Sequence, residues 1–225
     1  MFIRKDDVSH EAARGSEESG QGEQPKGLRD LLRDKRILIF TATVVLFNVS
    51  NAATLPLVGE ILSKDHHGSS SAWQVAAAVF VAEIVVILMA MFTGKKADAW
   101  GRKPLFLIAF GFLAVRNGIT VLSHNPFYLI ALQAFDGVAA AIYGVLLTLI
   151  TADLGKGTGR FNLLQGSIQS AMGLGGFLSN MAFGFVAKAA GFNTSFLGLS
   201  AVAVLGGLLF QWRMPETREQ QHSGS

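Results

Sequence analysis

Three charged residues stand out deep inside long apolar runs: Glu83, Arg116 and Asp136. A charge in hydrocarbon is costly, so each is a functional candidate by default. At about 1.5 Å of rise per residue, Arg116 lies about 10 Å and Asp136 about 13 Å from the same end of adjacent helices. Those depths match closely enough for an ion pair. Such a pair can simply hold two helices together, or it can change partner or protonation during a working cycle. Glu83 lies near mid-membrane, about 15 Å along its helix, with no basic partner evident in the sequence. It is therefore the better candidate for carrying a proton.

Uncharged polar residues cluster on the same kind of surface. At 100° per residue, Asn162, Gln165, Gln169, Gly173, Gly176 and Asn180 fall in one narrow sector of a helix. Ser167, Ala171, Gly175 and Ser179 recur every four residues on its other side, a ridge of small side chains that admits a close neighbour. Gln133, Asp136, Ala140 and Tyr143 share a face elsewhere, and Asn48 and Asn51 sit one turn apart. These amides either bond neighbouring helices or line a shared aqueous path.

The elements that must position these groups are six apolar runs: Ile37–Leu62, Trp73–Thr93, Leu105–Ser123, Phe127–Thr151, Phe161–Ala187 and Phe192–Trp212. Each is long enough to cross about 30 Å of hydrocarbon as a helix. Half of the 225 residues are hydrophobic and 16% are charged. Mean hydropathy is +0.40, even averaged over a polar N-terminal stretch. The fold class is thus an all-α membrane protein.

The basic balance, net charge +3, follows topology and does not point to nucleic acid. Lys26, Arg29, Arg33, Lys35, Arg36, Lys95, Lys96, Arg102, Lys103, Lys156, Arg160, Arg213 and Arg218 all fall on one side of the runs. Only Lys64 and Lys188 fall on the other. Both ends are therefore expected in the cytoplasm, with Trp73, Tyr128 and Trp212 as interfacial anchors.

Residues 1–26 are too polar to offset chain entropy and are expected to be disordered. Leu28, Leu31 and Leu32 give residues 27–36 the face of a short interfacial linker helix. The six-helix body spans 37–213, and 214–225 form a second cytoplasmic tail. No early stretch has the apolar core of a signal peptide, so the first run is expected to direct insertion itself.

Several weaker signals carry little. Gly155-Lys156-Gly157-Thr158-Gly159 lacks P-loop spacing and a preceding strand. The His66-His67 pair has no acidic or cysteine company, and the chain has no cysteine at all, so no thiolate metal site is possible. Asn193-Thr194-Ser195 matches a glycosylation triplet but abuts the membrane. No Ser/His/Asp nucleophile set shares a face. Neither a cofactor, a metal nor an enzymatic activity is expected.

The segment Gly94-Lys95-Lys96-Ala97-Asp98-Ala99-Trp100-Gly101-Arg102-Lys103-Pro104 connects the second and third runs. It is similar to the G-x-x-x-D-x-x-G-R-K-P/R signature of the major facilitator superfamily, matching at Gly94, Asp98, Gly101, Arg102 and Lys103. Asp136-Gly137, Ala152-Asp153-Leu154, Gly157 to Asn162 and Pro215-Glu216-Thr217-Arg218 also resemble C-terminal halves of bacterial members.

The resemblance covers Leu28 to Arg218 and implies half of such a transporter. That half would be two inverted three-helix repeats, 37–123 and 127–213, with a solute path against a second half. It also implies that Gly94–Lys103 acts as a gating loop. Asp98 would face the start of the fifth helix near Gly159–Phe161, stabilised there by about 0.3–1 kcal/mol from the helix dipole, with Arg102 positioning it. Glu83, Arg116 and Asp136 would couple transport to a proton. Asn48, Asn51, Gln133, Tyr143, Gln165, Gln169 and Asn180 would line the path.

The expected partners are the lipid bilayer, a small solute and a second six-helix half, supplied by another copy or a separate chain. The expected location is a bacterial inner membrane. The alternative is a truncated or regulatory fragment that transports nothing and pairs with a full-length relative.

Overall fold

The computed structural model of the chain describes residues 34–65, 69–155 and 161–214. The predicted tail, all but the last three residues of the predicted linker helix, His66-His67, Lys156–Arg160 and the residues after Met214 lie outside the described residues. Among the described residues seven helices follow in order: α1 Lys35–Asn51, α2 Thr54–Asp65, α3 Ser69–Trp100, α4 Arg102–Thr120, α5 Pro126–Gly155, α6 Phe161–Ala190 and α7 Phe192–Arg213. They make six helices long and apolar enough to cross a membrane, because α1 and α2 together form the first span, Lys35–Ser63.

Local chemistry fixes where these helices begin. Asp34 accepts from the Arg36 N–H at 2.8 Å and caps α1. Asn125 caps α5 through the Phe127 N–H at 2.9 Å, and Pro126 fills the first helical position, where a missing N–H costs nothing. The first span is not the single helix its apolar run suggests. Pro56 has no N–H, and its ring crowds the carbonyl four residues back, so the helix breaks at Ala52–Ala53.

The connection Gly94–Pro104 corrects the sequence expectation. It is not a loop. α3 continues through its polar end to Trp100, α4 starts at Arg102, and only Gly101 lies between. Its φ of 91° and ψ of 161° turn the chain in one residue, a conformation that side chains resist. Gly191 makes the same turn between α6 and α7, with φ 89° and ψ 162°.

Helices in lipid gain little hydrophobic energy from one another, so close packing decides the arrangement. Span two lies along span four, and span five along span one. Span three packs on four, six packs on one, and three packs on six. Exchanging the first three spans with the last three maps this set of neighbours onto itself. An aromatic cluster fills the centre: Phe40, Phe47, Phe106, Phe110, Tyr143 and Phe210. A second apolar cluster packs α2 against the start of α5 and α7, with Leu62, Leu129 and Phe196 fully buried.

Candidate functional site

α4 and α5 run antiparallel across a short turn, which brings Arg116 and Asp136 side by side. Their side chains form a direct ion pair, Nη1 to Oδ1. Arg116 is only 2% exposed, while the Asp136 side chain is 22% exposed. The other guanidinium nitrogen, Nη2, donates to Asn51 Oδ1 at 2.8 Å and to Asn117 Oδ1 at 3.2 Å. A buried cation therefore has one formal counter-charge and two neutral acceptors, drawn from three spans. Asn117 escapes a search for charges. The only hint in the sequence is a second polar residue beside Arg116 within an apolar run.

The remaining predicted path residues separate into two groups. Asn48 donates to the Tyr143 hydroxyl at 2.8 Å, and Tyr143 stacks on Phe47 with ring centroids 4.0 Å apart. Tyr143 and Gln133 are buried, and Gln133 donates only to the Leu129 carbonyl among the described residues. Tyr143 and Gln133 are thus enclosed within the packed helices, and Asn48 is half-buried beside them. Gln169 and Asn180 instead stand exposed on α6, with Gln165 half-buried beside them. Glu83 is exposed on α3 and has no hydrogen-bonding or ionic partner among the described residues.

At the basic end, Arg102 meets a residue the sequence reading did not pair with it. Its Nε lies 2.6 Å from Asp153 Oδ2 in the last turn of α5, both side chains being about one-eighth exposed. Asp98 sits in the last turn of α3. Its side chain and Gly159–Arg160, which it was expected to face, lie outside the described residues. Gly94 lies within α3 and is half-buried, as is Lys103 at the start of α4.

Arg102→Ala is expected to lower stability by about 1.5–3 kcal/mol, the range for hydrogen bonds to charged groups. Arg102→Lys should recover only part of this, since a point charge cannot reproduce the guanidinium fork. Thermal unfolding in detergent checks both, with the exposed Lys95→Ala unchanged as control.

The family model described as the Major Facilitator Superfamily matches residues 38–225. The chain belongs to the Major Facilitator Superfamily. It is also 39% identical over 220 residues to uncharacterized MFS-type transporters from two strains of Mycobacterium tuberculosis, CDC 1551 / Oshkosh and H37Rv. The alignment covers 96% of this chain but 52% of each relative. The chain thus spans about half the length of the curated relatives it matches. The superfamily is one of transporters, not of enzymes.

Burial across this superfamily member is uneven. Within the apolar windows of the spans, only 6% of residues are buried in α3 and 17% in α6, against 33–50% in the others. These are spans two and five, which the exchange of the first three spans with the last three relates to one another. They also carry Glu83 and the open amide face of Gln169 and Asn180.

Proposed function

We propose that the chain is one six-helix half of a secondary transporter for a small solute, working against a second six-helix half. The observation that carries this reading is Glu83, an exposed carboxylate about half-way along a span. Lipid cannot cover it, so that face requires water or protein. The exposed amides of α6 make the same demand on the span related to it. A solute path between these faces and a second half satisfies both.

In this reading Glu83 exchanges a proton, and the Arg116–Asp136 pair responds to that exchange. Asn48, Asn51, Gln133, Tyr143, Gln165, Gln169 and Asn180 line or border the path. The signature residues Gly94, Asp98, Gly101, Arg102 and Lys103 control the basic end. The two repeats are inverted copies, a reading supported by the exchange of neighbours and by the matching turns at Gly101 and Gly191. The direction is efflux. Lys/Arg placement supports cytoplasmic termini in a bacterial inner membrane.

The first test is the protein mass in mild detergent against the 24.0 kDa chain. About twice that mass indicates that a second copy supplies the missing half. The assembled protein is then reconstituted into vesicles with an imposed pH gradient, and lumen pH is followed as solutes from a panel are added. Solute-dependent proton flux is expected, and Glu83→Gln should abolish it with the fold intact. Gradient-driven flux that survives Glu83→Gln refutes the coupling role. A monomer without flux, alone or beside any second half, favours a non-transporting fragment, a reading motivated by the half-length match to the relatives.

A further inference from the structure

The break in the first span is held open by two side chains from other helices, each set into a specific missing rung of the helical ladder. The Ala53 N–H would ordinarily donate to the Val49 carbonyl. Instead it donates to Ser179 Oγ at 3.1 Å, and the Ser179 hydroxyl donates to Val49 O at 2.7 Å. The hydroxyl is spliced into that rung, donating at one side and accepting at the other. Asn117 caps the carbonyl of the next rung and ties down the Thr54 side chain. Its Nδ2 donates to Ser50 O at 2.9 Å, and its Oδ1 accepts from the Thr54 hydroxyl at 3.1 Å.

The third rung, from Asn51, lies beside the Arg116 guanidinium, which holds the Asn51 side chain. The fourth has no donor, because residue 56 is proline. Four consecutive rungs are thus removed or altered, and of the backbone groups freed in the first two, Val49 O, Ala53 N–H and Ser50 O find partners on spans five and three. Free backbone groups within a membrane need such partners. Ser179, Ser50, Thr54 and Asn117 are all buried. Span four, which occupies the exchanged position, has no proline after Pro126 and runs unbroken from Pro126 to Gly155. Of the two related spans, only the first is built to bend.

We infer that residues 49–56 form a hinge in the first span, and that Ser179 and Asn117 are positioning residues that hold its bent state. A splint of side-chain bonds can be exchanged for the ordinary backbone rung at 49–53 or 50–54, whereas Pro56 keeps the segment from becoming a fully regular helix. Arg116 links the hinge to Asp136, because one guanidinium grips both Asn51 and the carboxylate. Straightening the span therefore pulls on the ion pair. The motion serves transport only if the reading above holds. It can be measured without any solute, so the two can fail separately.

The chain contains no cysteine, which makes paired spin labels straightforward. Labels at Leu38 and Ser63, both exposed, flank the hinge on α1 and α2. A straight helix would set their backbones about 37 Å apart, and a bend shortens that distance. Pulsed distance measurements on the full chain in lipid nanodiscs should give a dominant bent population. Ser179→Ala and Asn117→Ala should each shift the bent-to-straight ratio about five-fold toward the longer distance, as expected for losing one ordinary buried bond.

Pro56→Ala restores the missing N–H and should lengthen the distance further when combined with Ser179→Ala. Ser200→Ala removes a comparable bond between α7 and the Ala114 carbonyl of α4, one that involves no group of residues 49–56, and should leave the distribution unchanged. The inference is overturned if Ser179→Ala and Asn117→Ala fold normally and keep the wild-type distribution. It is equally overturned if Ser200→Ala shifts the distance as much as they do. Should Asn117→Ala fail to fold, Ser179→Ala and Pro56→Ala decide the question alone.

Discussion

Asp136→Leu is expected to destabilise the six-helix body by about 3–5 kcal/mol, the range for removing one partner of a buried ion pair. The reason is the asymmetry of burial. Arg116 is 2% exposed and always charged, so without Asp136 it must keep its charge among neutral amides. Arg116→Met is expected to cost less. It leaves Asp136, which at 22% exposure keeps contact with whatever solvates that face. The double substitution Arg116→Met with Asp136→Leu replaces the pair by apolar groups of similar size and should recover at least half of the Asp136→Leu loss, because no charge is left unpaired.

Unfolding in mixed micelles of rising denaturing-detergent content, followed by tryptophan fluorescence, gives the ranking. An Asp136→Leu variant as stable as wild type would show that the pair contributes no net stability. A double variant worse than either single one would show that the amide network, not charge balance, dominates.

The ion pair was legible in the sequence because hydrocarbon makes charges conspicuous, and depth along two adjacent antiparallel helices limits which can meet. The span count was legible for the same reason: each crossing needs its own long apolar run. Span ends were not. Residues 94–100 are polar and basic, which reads as a loop in a hydropathy profile. Beyond the hydrocarbon a helix can continue with polar side chains, and the chain turns only where Gly101 allows a positive φ.

The splint at the first span was out of reach for a different reason. Pro56 marks a break, but which side chains fill the open rungs depends on how three helices are rotated against one another, and periodicity cannot supply that. Ser179 stood in the sequence as one more small residue of a ridge. Asn117 was overshadowed by the charge beside it. Tyr143 and Gln133 were correctly grouped with Asp136 on one face of α5. Periodicity could not say whether that face meets a neighbouring helix or water; Tyr143 meets Phe47 and Asn48, while Asp136 keeps partial exposure.

Gly137→Ala is expected to destabilise by about 1–3 kcal/mol, the cost of forcing extra volume into a packed contact. A Cβ at this position would stand 2.5 Å from the Ala82 carbonyl oxygen and 2.7 Å from Val85 Cβ. Neither is the flexible end of a side chain, so α3 as a whole must move. Gly144→Ala, two turns along the same helix, meets nothing within 4 Å. There alanine should be neutral or stabilising, by up to about 1 kcal/mol, since glycine is the poorer helix former.

At the related crossing of spans one and five the tight glycine lies on the other partner: a Cβ on Gly175 of span five would lie 2.8 Å from the Val45 carbonyl oxygen on α1. Gly175→Ala should therefore resemble Gly137→Ala in sign and size. The same mixed-micelle unfolding measures all three. Equal effects at Gly137 and Gly144 would mean that helix propensity, not close approach, sets the cost. A split between Gly137 and Gly175 would mean that one crossing yields more readily than the other. The crossing beside the broken first span is the one expected to yield if they differ, because a hinged helix has a direction in which it can move away.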